Sequence, residues 1–336
     1  MKKRNGPVVD AEMPWLADED GLKGLTSTLV QQTAKSLAGR VSFALYAKHF
    51  EIIPADTQDL KELAYLLRFQ VYVQEHGFEK AENHPGEREV DEYDERSMHI
   101  LLRHRTSGIV VGTARMVLPN VDGPTNSFPV QAISSHPLMQ DASVATHATE
   151  FSRLAISRER LKRCHVGSAR ANSKISQMLA KQLTPYLSVG LIAGIFELSA
   201  EHGYPIVLAI MEPFMVRNLS KIGLDLPFVD APVEYHGLRH PCAIPSLHDT
   251  CAAMKKKDRA AWEIVTNRGR TQELALTAQT RTEDARRAVA QAFRLAKRPA
   301  TIALRAPGSR SKPRGALHRV AAMVNRPARE RAPRRR

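Results

Sequence analysis

Cysteine is scarce in this chain of 336 residues: Cys164, Cys242 and Cys251 are the three, far apart and never as C-x-x-C. That excludes a disulfide framework, argues against a cysteine zinc module and fits a reducing compartment. The 13 histidines show no metal-ligand spacing beside a carboxylate, so no metal is expected. Long hydrophobic runs are missing too. The longest, Leu187 to Leu198, is too short for a membrane span and holds Glu197. The opening Met-Lys-Lys-Arg is followed by Asp10, Glu12, Asp18 and Glu19 rather than by an apolar stretch, which is not the pattern of a signal peptide. A soluble cytoplasmic protein is expected.

Acidic residues are nearly absent from the C-terminal end. From residue 295 onward there are 13 Lys/Arg and one acid, Glu330, so +12 of the net +14 sits there and the rest is near neutral. This basic tail has the charge to contact anionic lipid or nucleic acid. It has no aromatics among its arginines, which argues against base stacking.

What is present is an ordinary core composition, 43% hydrophobic, with a readable order of elements. Residues 1–40 are weakly patterned and read as an arm. Leu45 to Ile53 reads as a strand stopped by Pro54. Asp56 or Thr57 caps a helix whose apolar face is Leu60, Ala64, Leu67 and Val71, ending near Gly77. An acidic loop over 87–95 precedes two strands, Met98 to His104 and Ile109 to Leu118, joined by a hairpin turn at 105–108. Residues 120–147 read as a long loop, a kind that is usually functional or disordered. A strand from Glu150 to Ile156 follows. Next come a helix carrying Leu187, Leu191, Ile195 and Leu198, a strand over 205–211, and a helix from Pro213 to Gly223. One or two short strands are expected before residue 245. Residues 251–298 read as a helical extension, with Thr282 capping its last helix, and 299–336 as a disordered tail.

This order, over residues 41–250, matches an α/β fold of the acetyltransferase-like (GNAT) type, a mixed central sheet flanked by helices. Four motifs narrow it. Arg68-Phe69-Gln70-Val71-Tyr72 lies on the first helix, with Phe78 ten residues after Arg68. Glu89-Val90-Asp91-Glu92-Tyr93-Asp94 lies in the acidic loop. Gly112-Thr113-Ala114-Arg115-Met116-Val117-Leu118-Pro119 forms the third strand and Glu150-Phe151-Ser152-Arg153-Leu154 the fourth. Over about residues 45–245 the series resembles the acyl-homoserine-lactone (autoinducer) synthases and their relatives the N-acyl amino acid synthases. Within that superfamily it is most similar to the exosortase/PEP-CTERM-associated acyltransferases. The resemblance places the family's functional positions on Arg68, Tyr72, Asp91, Asp94, Arg115, Glu150 and Arg153, and puts Phe78 where the family has tryptophan. It implies an acyltransferase with acyl carrier protein as the partner that delivers the donor, an acyl-phosphopantetheine thioester.

The chemistry constrains the roles. Acyl transfer to an amine needs a proton acceptor, a positioned thioester and stabilisation of an oxyanion. Glu150 is the first candidate for the acceptor, with backbone N–H groups of the fourth strand as oxyanion donors. Ideal alternation would put Glu150 and Arg153 on opposite faces, so a bulge beside residues 151–153 is expected. Arg115 or Arg153 can clamp an acceptor carboxylate, and Ser152 is a further candidate for substrate binding. Arg68, Asp91 and Asp94 read either as substrate contacts or as a supporting network. The segment Arg163 to Ala169 has the wrong spacing for the Q/R-x-x-G-x-G/A coenzyme A loop, which favours a carrier-protein donor over acyl-CoA. Arg158, Arg160, Lys162, Arg163 and Arg170 are candidate contacts to its acidic surface. The expected reaction is N-acylation of an amino acid by a fatty acyl group, with no tightly bound cofactor. The alternatives are lactone synthesis with S-adenosylmethionine, coenzyme A-dependent N-acetylation, or a ligand-binding regulator without catalysis. Cys164 as an acyl-accepting nucleophile lacks a partner histidine other than its neighbour His165.

Overall fold

A computed structural model of the chain describes residues 41, 44–164, 174–235 and 237–296. Among the described residues seven strands form the sheet: β1 (Phe50–Pro54), β2 (Ser97–His104), β3 (Val110–Val117), β4 (Ala148–Ile156), β5 (Ile206–Met211), β6 (Val233–Glu234) and β7 (Leu238–Ile244). Their order is β1-β2-β3-β4-β5-β7-β6. All neighbours are antiparallel except β4 and β5, which pair in parallel from Ala148/Ile206 to Phe151/Ala209. Beyond Phe151 and Ala209 these two strands part. That opening in the middle of the sheet positions the site.

Two layers cover the sheet. On one face lies the long helix α6 (Lys174–Glu201), whose Leu187, Leu191 and Ile195 are fully buried against Ile100, Val111 and Met116. On the other lies α1 (Gln58–Phe69), which buries Ala64 and Leu67 against Leu101 and Val110. Thr57 caps α1 by accepting from the Leu60 N–H at 3.3 Å. Three short helices, α2 (Pro129–Ile133), α3 (Pro137–Gln140) and α4 (Ala142–Ala145), complete that face, and α5 (Arg158–Arg163) follows β4. After β5 come α7 (Pro213–Lys221) and, past β7, α8 (Leu247–Lys257), α9 (Arg259–Val265), α10 (Arg270–Thr280) and α11 (Glu283–Ala296). Helices α9 and α10 pack on α6, and α11 packs on α3 and α4. Among the described residues no helix is long and apolar enough to cross a membrane.

Three local expectations need correction. Residues 44–49 are helical, and the first strand starts only at Phe50, where pairing with His104 begins. Tyr46 is thereby buried against Gly190 of α6 instead of pointing along a strand. The first helix does not run as one α-helix to Gly77. It converts at Gln70 into a π-helical turn, Gln70–Glu75, which re-aims Tyr72 so that its hydroxyl donates to the Leu154 carbonyl at 3.0 Å. Residues 120–147 are not a loop without structure. Pro129 and Pro137 open α2 and α3 at their first turns, and Asp141 caps α4 through the Ser143 and Val144 N–H groups. The Thr282 cap is present, accepting from the Ala285 N–H at 3.0 Å. Residues 1–40 and 299–336, expected to be an arm and a disordered tail, lie outside the described residues.

Gly194 of α6 sits where a Cβ would come within 2.8 Å of Ile100 Cδ1 and 3.0 Å of Ile52 Cγ2. Gly194→Val therefore overfills the contact between helix and sheet. A loss of about 1–3 kcal/mol is expected in denaturant unfolding. An unchanged midpoint would show that α6 does not seat on β1 and β2 in this way.

Candidate active site

The site starts from a charge balance. Arg68 on α1 donates through Nη1 and Nη2 to both oxygens of Asp94, at 2.7 and 3.0 Å, and through Nε to Glu89. Arg115 on β3 donates through Nη1 to Asp91 and to Asp94 (2.9 Å), and through Nε to the Ser152 hydroxyl at 3.0 Å. Arg153 on β4 donates through Nε to Glu89 at 3.1 Å and through Nη2 to Asp91 at 3.0 Å. Three guanidiniums thus meet three carboxylates, and the third carboxylate is Glu89 rather than Glu150. Arg68, Arg115, Glu89 and Asp94 are all buried. Charges this deep persist only when paired.

The acidities follow from this pairing. Burial alone would raise the Glu89 carboxyl, but Arg68 and Arg153 outweigh it and hold the pKa at about 2. Burial likewise opposes ionisation of Asp94, yet its hydrogen bonds and charge contact with Arg68, together with the charge of Arg115, keep it well below the usual range. His99 Nε2 lies 3.5 Å from Asp94 Oδ1. That is not an ion pair, because burial and then Arg68 push the imidazole down to about 4 and leave it neutral.

Glu150 stands outside the balance. It is fully buried on β4 and its Oε2 accepts from the Val130 N–H at 2.9 Å. Its Oε1 has no hydrogen-bond partner. With the cations already matched, burial dominates: the carboxyl is pushed up to about 7, against the opposing pull of the Val130 N–H, Arg115 and Arg153. A carboxyl poised near neutrality can take a proton at physiological pH.

The expected bulge lies on β4. Arg115 pairs with Ser152 and Thr113 with Ala155, so Arg153 and Leu154 together face the single residue Ala114. Arg153 adopts φ 53°, a left-handed conformation that costs a non-glycine residue about 1–2 kcal/mol. The extra residue turns Arg153 onto the face of Glu150, Ser152 and Arg115. Its bonds to Glu89 and Asp91 hold it there.

A cleft of about 800 Å³ opens where β4 and β5 part. Its walls include Tyr72, Phe78, Glu150, Ser152, Arg153 and Arg239. Of the residues singled out in the sequence, Tyr72, Phe78, Glu150, Ser152 and Arg153 line the cleft, while Arg68, Arg115, Asp91 and Asp94 stand behind it. Arg115 is fully buried, with Nε and Nη1 committed to Ser152, Asp91 and Asp94. Phe78 remains 43% exposed at the mouth and stacks on His76, centroids 5.1 Å apart. Arg158 and Lys162 line the rim, whereas Arg163 pairs with Glu159 and Arg160 with Gln70. Arg170 lies outside the described residues. Cys164 is buried, and burial raises its thiol pKa, which disfavours a thiolate nucleophile. Among the described residues no group of side chains has the makings of a metal site. Sequence reasoning missed Glu89 as a member of the network and missed Arg239 and Tyr235, which reach the cleft from the β6–β7 hairpin. The available signal was the two-residue spacing of Glu89 and Asp91, which lets both carboxylates flank Arg153.

Arg68→Ala leaves Glu89 and Asp94 buried beside fewer cations and should cost about 3–5 kcal/mol in urea unfolding. The lowered Glu89 pKa contributes stability that is fully present above about pH 4.5, its ordinary value, and is lost as pH falls through about 2. Acid titration of the fold in that window, flattened in Glu89→Gln, checks it. Glu150 has the opposite sign. Its raised pKa gives a contribution present below about 4.5 and lost as pH rises through about 7. Glu150→Gln should therefore gain stability relative to the parent between pH 5 and pH 8, on the order of 2 kcal/mol.

Residues 67–166 match the acetyltransferase (GNAT) domain family. No curated protein matches the chain. Among solved structures it is similar to TofI in a ternary complex with an inhibitor and MTA, at 21% identity over 62% of this chain and 96% of that one, TM-score 0.42. It is also similar to the acyl-homoserine-lactone synthase LasI (17%, 58% and 88%, TM-score 0.40). FeeM, an N-acyl amino acid synthase from uncultured soil microbes, matches at 10% identity over 62% and 96%, TM-score 0.41. The ion network and Glu150 thus lie within the stretch, residues 67–166, that is similar to the acetyltransferase (GNAT) domain family.

Proposed function

We propose that this chain is an N-acyltransferase that moves a fatty acyl group from an acyl carrier protein thioester to the amine of an amino acid. The observation that carries this reading is Glu150: a carboxyl poised near neutrality, with one oxygen unpartnered, in a cleft where two strands part. The amine nitrogen attacks the thioester carbonyl, its surplus proton passes to Glu150 directly or through water, and the C–S bond breaks as the leaving thiolate takes up that proton and departs as the thiol. Backbone N–H groups of β4 past Phe151, where pairing with β5 has ended, are suited to the oxyanion. Arg153 has Nε and Nη2 engaged, and its Nη1 is suited to an acceptor carboxylate. Arg158 and Lys162 at the rim favour an anionic donor carrier. We place the chain with the exosortase/PEP-CTERM-associated acyltransferases on its four motifs, in the cytoplasm, with the basic tail as a contact to anionic lipid or nucleic acid.

A second reading rests on the aromatic mouth formed by Phe78 and His76. It would suit an adenine ring, and S-adenosylmethionine would then be the acceptor and a lactone the product.

The test incubates the full chain with acyl carrier protein thioesters or acyl-CoA, an amino-acid pool and S-adenosylmethionine, and identifies products by mass spectrometry. N-acyl amino acids formed from the carrier thioester are expected, and lactones would replace the first reading by the second. Activity should rise with pH through about 7 as Glu150 ionises and fall at least 100-fold in Glu150→Gln. A Glu150→Gln enzyme of parental rate would remove Glu150 from the chemistry.

A further inference from the structure

The segment between β3 and β4 has a feature that the reaction scheme does not use. Pro129 lines the cleft, and the next residue gives its backbone N–H to Glu150. That stretch is tied by one side chain. Gln131 Oε1 accepts from the Ser127 N–H at 2.7 Å and the Phe128 N–H at 3.0 Å, and its Nε2 donates to the Pro124 carbonyl at 3.1 Å and the Met139 carbonyl at 2.8 Å. The amide thus uses its whole capacity on four backbone groups across sixteen residues of chain, 124 to 139. Gln140 adds a second tie, donating to the Gln131 and Ser134 carbonyls at 2.9 and 2.7 Å. Around them Phe128, Val130, Leu138 and Met139 are buried, and Ala288, Val289 and Ala292 of α11 close the packing from outside.

We propose that Gln131 is a positioning residue for the reaction: it fixes the Val130 N–H on Glu150 Oε2, which leaves Oε1 as the oxygen that faces the acceptor amine. This rests on the reading of Glu150 as proton acceptor. Without the tie the carboxyl is free to rotate, and both oxygens then compete for one donor. With it, one oxygen is held and the other stays free. The charged and titratable groups acting on Glu150 are Arg115 from β3, Arg153 from β4, and Asp91 and Tyr93 from the acidic loop. The N–H of Val130 is the contact that the 120–147 segment adds to that set. A hydrogen bond to the charged form favours ionisation, so the tie lowers the pH at which the site becomes active.

The experiment follows the Glu150 carboxyl itself. In the parent full-length chain, the Val130 amide signal in 15N–1H spectra should move with pH with a midpoint of about 7, and should not move in Glu150→Gln. Gln131→Met keeps the volume and removes all four bonds. It should raise the Glu150 midpoint, read by difference infrared spectroscopy against Glu150→Gln, by about one to two pH units. Near neutral pH kcat should fall about tenfold or more with KM little changed, and recover as pH rises. Val130→Pro, which deletes the donor at a helix first turn and exchanges one buried side chain for a ring of similar size, should give the same shift and carries the comparison if Gln131→Met does not fold. A Val130 amide that ignores pH in the parent chain, or a folded variant with an unmoved carboxyl midpoint, overturns the proposal. A carboxyl midpoint that moves while the pH–rate profile stays put keeps Gln131 as the residue that positions Glu150 and removes Glu150 as the proton acceptor.

Discussion

The buried pairing of three arginines with Glu89, Asp91 and Asp94 is the constraint on which the rest of the site depends. Each guanidinium comes from a different element: α1, β3 and β4. One short acidic loop answers all three. A single cation left over would demand a counter-ion from the cleft, and a single missing acid would leave a charge stranded in a dry interior. Because the count closes without Glu150, that carboxyl is left to the influence of burial. Its raised pKa is the residue of a balance struck elsewhere, so the network acts on the cleft although most of it never reaches it.

Two departures from regular secondary structure convert this balance into a site. The π-helical turn after Phe69 brings Tyr72 to the Leu154 carbonyl, and the β4 bulge places Arg153 in a left-handed conformation beside it. Each irregularity costs conformational energy by itself. They brace one another across the cleft wall, Tyr72 holding the carbonyl next to the bulge and Glu89 and Asp91 holding the side chain it redirects. Past Phe151 the sheet opens, so the same strand offers a carboxyl, a guanidinium and unpaired backbone within a few residues.

The sequence was informative where a pattern repeats. The α1 face of Leu60, Ala64 and Leu67, the buried stripe Leu187, Leu191 and Ile195, and the β2–β3 hairpin were all legible because burial imposes periods of 3.6 and 2. It was less informative where one residue breaks a pattern. The helix over residues 44–49 is too short to declare a period. The short helices of 120–147 are each only a turn or so long and are set by proline and caps rather than by periodicity.

The candidate site divides the same way. The four motifs and the resemblance they carry marked Glu150, Arg153, Arg115, Arg68, Asp91 and Asp94, since arginine and acid motifs at strand and helix positions stand out from a core. It also required a bulge, because Glu150 and Arg153 could not otherwise share a face. Only the tertiary structure decided which carboxylate belongs to which cation. Ion pairing is settled by distance and burial between residues 21 to 64 positions apart, as when Glu89 rather than Glu150 completes the set. The sequence determined which charges had to be buried together, and the packing of α1, the acidic loop and the 120–147 segment on one sheet face determined which carboxylate was left without a cation partner.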